Sequence, residues 1–196
     1  MRSGARAAVI GALFLGVPSA QAATVEGAAT INGRTASDAV VYLQSQEATP
    51  PAAPPMRVVM DQKNLAFVPD VLPVARGTVV EFTNSDDVQH NVFSPSAIAG
   101  KFNLGSYGPG ARRTVTLNEP GDVRVLCNIH MEMEAHILVL DGPHFSIVAA
   151  DGSYLIPDVP AGTYTLKIWQ GRWLPFAQTV DLAGGGSLTV NIAAEK

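Results

Sequence analysis

The sequence predicts an all-β protein made of two small β-sandwiches. Apolar residues occur in short runs without a sustained period of 3.6 residues, and Gly, Pro, Asn and Asp separate these runs. Many short strands at regular spacing are typical of sandwiches and barrels. A length of 196 residues allows one large domain or two small ones.

Residues 1–23 have the features of a secretory signal. Arg2 and Arg6 form a basic start, residues 7–17 are apolar, and Ala20-Gln21-Ala22 matches a cleavage site of the A-x-A type. The apolar run is shorter than the roughly 20 residues that a membrane span requires. We therefore expect the mature chain to be periplasmic or secreted, with an uncleaved anchor as the alternative.

The mature chain is expected to be acidic. The whole chain carries a net charge of −4, and residues 1–23 contain two arginines and no acid, so their removal brings the charge to −6. This balance argues against nucleic acid or an anionic membrane surface as a partner. We expect a monomer that interacts with other proteins.

Both ends of the mature chain predict strands. Near the N-terminus, Val25–Ile31 and Ala39–Leu43 are joined by the turn residues Asn32-Gly33. Residues 49–56 are rich in Ala and Pro and predict a stiff linker. After Asp141-Gly142-Pro143, the predicted strands are Phe145–Ala149, Tyr154–Ile156, Tyr164–Trp169, Phe176–Asp181 and Ser187–Ile192.

The central block, residues 57–141, predicts a sandwich of its own. The turn signal Asn118-Glu119-Pro120-Gly121 separates two of its strands. The predicted strands are Arg57–Met60, Val71–Val74, Thr78–Asn84, His90–Phe93, Lys101–Leu104, Arg112–Leu117, Asp122–Leu126 and His136–Leu140.

The two flanking pieces are each small for an independent fold, because an isolated hairpin is marginal in water. Residues 24–48 and 144–196 together supply enough predicted strands for one sandwich. We therefore expect residues 57–141 to be inserted into a sandwich built from both ends of the chain. The alternative is three sequential pieces, with the N-terminal hairpin packed on the central block.

Cys127 is the only cysteine, and it opens the run Cys127-Asn128-Ile129-His130-Met131-Glu132-Met133. A thiolate, an imidazole and thioethers thus fall within one loop, and His90 lies upstream in a strand-like context. Two histidines, a cysteine and a weak axial methionine form the ligand set of a blue-copper site. This set suits single-electron transfer, because thiolate favours Cu(I) and imidazole binds both oxidation states.

Other interpretations of Cys127 are weaker. A lone cysteine is often a small buried hydrophobic residue. Structural zinc sites use more thiolates or histidines in paired spacings, such as C-x2-C. A nucleophilic pair of Cys127 and His130 would lack a clear orienting partner, and the methionines would have no role.

The central block resembles the cupredoxins over about residues 58–140. The spacing C-x2-H-x2-M from Cys127 to Met133 is similar to that of amicyanin, and the stretch Gly77–Asp86 with His90-Asn91 resembles the first-ligand region of the family. The resemblance implies a Greek-key β-sandwich with one copper ion, equatorial ligands His90, Cys127 and His130, and Met133 as the axial ligand. It also implies that Asn91 ties the two ligand loops together and hydrogen-bonds near the thiolate.

The axial position has competitors. Amicyanin-like loops usually carry proline where this chain has Met131, so Met131 and Glu132 compete with Met133. A hard carboxylate favours Cu(II) and is the weakest candidate. His136 is expected to be a structural histidine rather than a fifth ligand.

The flanking region resembles the carboxypeptidase regulatory-like, or transthyretin-like, sandwich. The residues that carry this resemblance are Gly152–Tyr164, which contain a hairpin motif followed by a P-x-G-x-Y turn, and the strands near Val25 and Ala39. The resemblance implies no catalytic residues.

The sequence thus predicts an exported copper protein that carries single electrons and is not an enzyme. The resemblance to amicyanin implies a periplasmic dehydrogenase, as in methylamine oxidation, as electron donor and a cytochrome as acceptor. A copper storage or delivery protein is the alternative. A third possibility is an adhesion protein in which copper is structural.

Overall fold

The computed structural model describes residues 22–47, 56–97 and 100–195. The predicted signal, except for its last two residues, and nearly all of the predicted linker lie outside these ranges. The described residues are all-β, which confirms the predicted fold class. None of them forms a helix long and apolar enough to cross a membrane.

The flanking sandwich contains strands from both ends of the chain. One sheet has the order β14-β1-β17, with β2 and β18 also paired to β1, and the other has the order β13-β3-β15-β16. The strands are β1 (Ala23–Ile31), β2 (Arg34–Thr35), β3 (Val40–Ser45), β13 (Phe145–Ile147), β14 (Ser153–Val159), β15 (Thr163–Trp169), β16 (Trp173–Asp181), β17 (Gly186–Thr189) and β18 (Ile192–Ala194).

The central sandwich is formed by the intervening strands. One sheet has the order β10-β7-β4-β5, and the other, here called the ligand sheet, has the order β6-β12-β11-β8-β9. The strands are β4 (Arg57–Lys63), β5 (Ala66–Val68), β6 (Val71–Ala75), β7 (Thr78–Asn84), β8 (His90–Ser94), β9 (Phe102–Tyr107), β10 (Arg112–Leu117), β11 (Gly121–Leu126) and β12 (Glu134–Leu140).

The strand pairing shows how the two ends of the chain combine. Strand β1 pairs with β14, β17 and β18, and β3 pairs with β13 and β15. Both sheets of the flanking sandwich therefore draw strands from both sides of the central block. We propose the domain division predicted above, in which residues 57–141 are inserted between residues 24–48 and 144–196.

The structure differs from the predicted strands in several places. The Asn32-Gly33 turn joins β1 to the short β2, and β3 lies in the facing sheet, so the predicted hairpin was wrong. A short strand, β5, was missed. The last predicted strand is divided into β17 and β18. Between them, the Val190 carbonyl lies so close to Gly27 that a Cβ there would be 1.9 Å from its oxygen.

The two sandwiches contact each other through β12. Ala135, Ile137 and Val139 belong to the core of the central sandwich. Leu138 and Leu140 point to the other face, where they pack in a buried cluster with Val40 and Trp169 of the flanking sandwich. Both faces of β12 are thus covered, which explains its continuous apolar sequence.

Candidate metal centre

The candidate site lies where two neighbouring strands of the ligand sheet meet their loops. Strand β11 ends at Leu126, so Cys127 is the first residue of the following loop. His90 is the first residue of β8, which lies beside β11 in the sheet. The loop between β11 and β12 carries His130 back toward His90. His90 and His130 therefore face one another, although they are 40 positions apart in the chain.

The structure brings the three predicted equatorial ligands together. One donor atom from each of His90, Cys127 and His130 lies within 4.8 Å of the other two. The Nδ1 atoms of the two histidines are 3.1 Å apart. The backbone N–H groups of Asn91 and His130 each point at Sγ of Cys127 from 3.5 Å.

The two methionines of the loop lie in different environments. Met133 is buried, with 1% of its surface exposed, and belongs to the same apolar cluster as Cys127. Its backbone is bonded on both sides: its N–H donates to the His130 carbonyl at 3.1 Å, and its carbonyl accepts from Cys127 at 3.3 Å. Met131 is 82% exposed, and Glu132 is exposed as well. The burial pattern favours Met133 as the axial candidate.

These residues fit a soft metal ion. Two nitrogen ligands about 2.0–2.1 Å from one ion at a tetrahedral angle are about 3.3 Å apart, which is close to the observed separation of 3.1 Å. The donor set combines one thiolate, two imidazoles and a nearby thioether, which together suit copper better than hard cations. The buried surroundings also limit access of water to the thiol.

A buried polar framework supports the His90 side of the site. Asn84 Nδ2 donates to the carbonyls of Val88 and Tyr107, which holds the loop before His90. Gln62 Nε2 donates to the Tyr107 hydroxyl at 2.6 Å. Burial raises the pKa of Tyr107 to about 12, so this residue stays a neutral phenol at physiological pH. Asn84, Gln62 and Tyr107 thus hold this side of the site without carrying a charge themselves.

Asn91 makes its expected contact near Cys127 through its backbone and not through its side chain. Its backbone N–H points at Cys127 Sγ, whereas its side chain donates to Asn103 Oδ1 at 3.0 Å. The side chain therefore connects β8 to β9 rather than the two ligand loops. The contact with Sγ is made by a backbone N–H, so the type of residue at position 91 does not predict it.

His136 lies outside the donor cluster. Its Nδ1 is 2.8 Å from Asp122 Oδ1, and its ring packs 5.2 Å from that of Trp169 in the flanking sandwich.

Asp86 was not among the predicted site residues, yet it contacts His90 directly, with 2.8 Å between Oδ2 and Nε2. The available signal was an acid four residues before a candidate ligand.

A family comparison agrees with this geometry. The sequence profile of copper-binding proteins of the plastocyanin/azurin family matches residues 54–140. Residues 54–140 are a cupredoxin domain. The cupredoxin domain binds copper, and it includes every residue of the donor cluster.

Solved structures similar to this chain include several copper proteins. A copper-containing nitrite reductase from Thermus scotoductus is 26% identical to this chain. The match covers 51% of this chain and 26% of the reductase chain, with a TM-score of 0.43. A purple cupredoxin from Nitrosopumilus maritimus is 22% identical over 43% of this chain and 98% of its own, with a TM-score of 0.37. A point mutant of amicyanin with Cu(I) is 21% identical over 42% of this chain and 81% of the amicyanin chain, with a TM-score of 0.39.

Among curated proteins, rhamnogalacturonate lyase A from Emericella nidulans is 35% identical over 63 residues. The match includes 32% of this chain and 12% of the lyase. The chain thus spans about an eighth of the length of that relative.

Proposed function

We propose that this protein is an exported electron carrier with a type 1 copper site, in which His90, Cys127 and His130 would hold the copper ion and Met133 would be its fourth, weaker ligand. The observation that carries the proposal is the convergence of three soft or borderline donors within 4.8 Å of one another. A copper ion in this set supplies a one-electron couple, because thiolate and imidazole together accept both Cu(I) and Cu(II).

The role of the chain is to hold the donors in place in both oxidation states. His90 is fully buried at the start of a strand, and the backbone of Met133 is bonded to both Cys127 and His130. Two backbone N–H groups point at Sγ. Little rearrangement is therefore required when an electron arrives or leaves.

The exposed rim of the loop is the proposed docking surface for redox partners. His130 is partly exposed, and its neighbours Ile129 and Met131 are 45% and 82% exposed. An apolar rim excludes water from a transient complex and brings a partner close to the imidazole edge. The resemblance to amicyanin supports a periplasmic dehydrogenase as electron donor, with the chain itself performing no catalysis.

The visible spectrum of the Cu(II)-loaded mature protein tests the site. We expect an intense thiolate-to-copper band in wild type and none in Cys127→Ser. His144→Gln is the control, because His144 lies in the segment after β12 and packs against Tyr164. A weak spectrum that is equal in wild type and Cys127→Ser would mean adventitious copper and would overturn the proposal.

Repeated reduction and oxidation in the presence of a Cu(I) chelator separates a carrier from a copper-delivery protein. A carrier keeps its band through many cycles, because the metal stays bound in both states. Loss of copper to the chelator within the first reduction would favour storage or delivery instead.

A further inference from the structure

Asp86 contacts the candidate ligand His90 on the side opposite to His130. Its Oδ2 lies 2.8 Å from Nε2 of His90, whereas Nδ1 of His90 faces His130. The His90 side chain is completely buried, and that of Asp86 is only 12% exposed. Water therefore competes weakly for this contact.

The carboxylate of Asp86 is itself held in a fixed orientation. Its Oδ1 accepts from the Asn64 N–H at 2.6 Å, and its Oδ2 accepts from the Leu65 N–H at 3.0 Å. Asn64 and Leu65 form the turn between β4 and β5, with φ values of 56° and 58°. The backbone N–H of Asp86 donates to Asn84 Oδ1. The carboxylate thus belongs to the scaffold rather than to a mobile surface chain.

This arrangement determines which nitrogen of His90 carries a proton. An ionised carboxylate only accepts hydrogen bonds, so Nε2 must be the donor. Nδ1 then keeps its lone pair, and that lone pair is on the side of His130 and Cys127. A carboxylate bonded to the far nitrogen also makes an imidazole a stronger metal ligand.

We infer that Asp86 is a positioning residue of the copper site, which fixes the tautomer of His90 and favours Cu(II) over Cu(I). The inference rests on the proposed function. The negative charge and the strengthened imidazole both stabilise the higher oxidation state, so Asp86 lowers the reduction potential of the site.

Asp86→Asn tests this inference, with Asp87→Asn as a control that removes the same charge one residue further on. Asp87 is exposed. For Asp86→Asn we expect Cu(II) affinity, measured by chelator competition, to fall about 10–100-fold. We expect a smaller fall for Cu(I) and therefore a raised potential in spectroelectrochemical titration. Asp87→Asn should change each affinity by less than about threefold, because exposed charges are well screened.

Equal potentials in the two variants, with only the stability of Asp86→Asn reduced, would overturn the inference and leave Asp86 as a turn anchor. Asp86→Glu keeps the charge and should shift the potential less than Asp86→Asn. An absent thiolate band in wild type would instead refute the copper site itself, whereas a normal band with an unshifted potential refutes only the role of Asp86.

Asp86 also anchors a turn, so a measurement on wild type is needed beside the variants. The Cu(I)-loaded protein is diamagnetic, and ¹⁵N-edited NMR of its histidines reports the position of the His90 proton. We expect a proton on Nε2 that exchanges slowly, because the ring is fully buried. A proton on Nδ1, or none on Nε2, would overturn the inference even if no variant folds.

Discussion

The Nδ1 atoms of His90 and His130 face each other at 3.1 Å, although the residues are 40 positions apart in the chain. Two nitrogen lone pairs at this distance repel unless a cation lies between them or one nitrogen carries a proton. Because the Asp86 carboxylate holds the proton of His90 on Nε2, Nδ1 is available for a metal ion. Both imidazoles can therefore present Nδ1 to one ion.

Exchange of the axial candidate should alter the potential without removing the site. In Met133→Leu we expect the thiolate band to persist and the reduction potential to rise, because a weak thioether donor is lost. The exchange conserves volume, so its cost in stability should stay below about 1.5 kcal/mol. Spectroelectrochemistry provides the measurement.

Met131→Leu is the matched control for this experiment, since Met131 is 82% exposed. Its potential and spectrum should equal those of wild type. The reverse pattern, with a shift in Met131→Leu and none in Met133→Leu, would show that Met131 and not Met133 is the axial ligand.

The His136–Asp122 pair should make stability depend on pH. The hydrogen bond that the His136 ring donates to Asp122, together with the charges of Asp122 and Glu134, raises the pKa of His136 above its ordinary value, against the effects of burial and Arg124. The protonated ring is therefore stabilised in the folded state. This contribution is fully present below about pH 6.5, the ordinary histidine value, and is lost as pH rises through the raised pKa.

Denaturant unfolding of wild type and Asp122→Asn between pH 5 and 9 measures this contribution. The difference in the free energy of unfolding should be largest at the acidic end of the range and should shrink above neutrality. A difference that stays constant across the range would mean that the pair stabilises the fold only as a neutral hydrogen bond.

The contact between the two sandwiches should contribute substantially to stability. Leu138 is fully buried in the cluster with Val40 and Trp169. Leu138→Ala should therefore cost about 2–5 kcal/mol in the free energy of unfolding. Because Leu138 points away from the core that contains Cys127, the thiolate band should keep its shape.

Trp169 can report on this contact by fluorescence in a Trp173→Phe background, since the chain has two tryptophans. Leu155→Ala is the control, because Leu155 is 51% exposed and its loss should change stability by less than about 0.5 kcal/mol. A cost for Leu138→Ala as small as that of Leu155→Ala would mean that the two sandwiches are energetically independent.

Many strand positions could be predicted from the sequence because apolar runs and turn residues are local signals. The strands at Thr78–Asn84 and Arg112–Leu117 match the predicted ranges. Ala66–Val68 was missed, since three residues after a tight turn carry little periodicity. The predicted hairpin at Asn32-Gly33 was wrong about the partner strand, because a turn signal shows where the chain reverses and not which sheet the next long strand enters.

The sequence by itself determined the all-β class and the chemistry of the donor set: one thiolate, two imidazoles and nearby thioethers. Tertiary structure alone decided that the donors converge, that Met133 is buried while Met131 is exposed, and that Asp86 meets His90. The physical reason is that local periodicity encodes which residues are apolar. Contacts between strands distant in the chain depend instead on how whole sheets pack, and this packing places Asp86 between a turn and a buried imidazole.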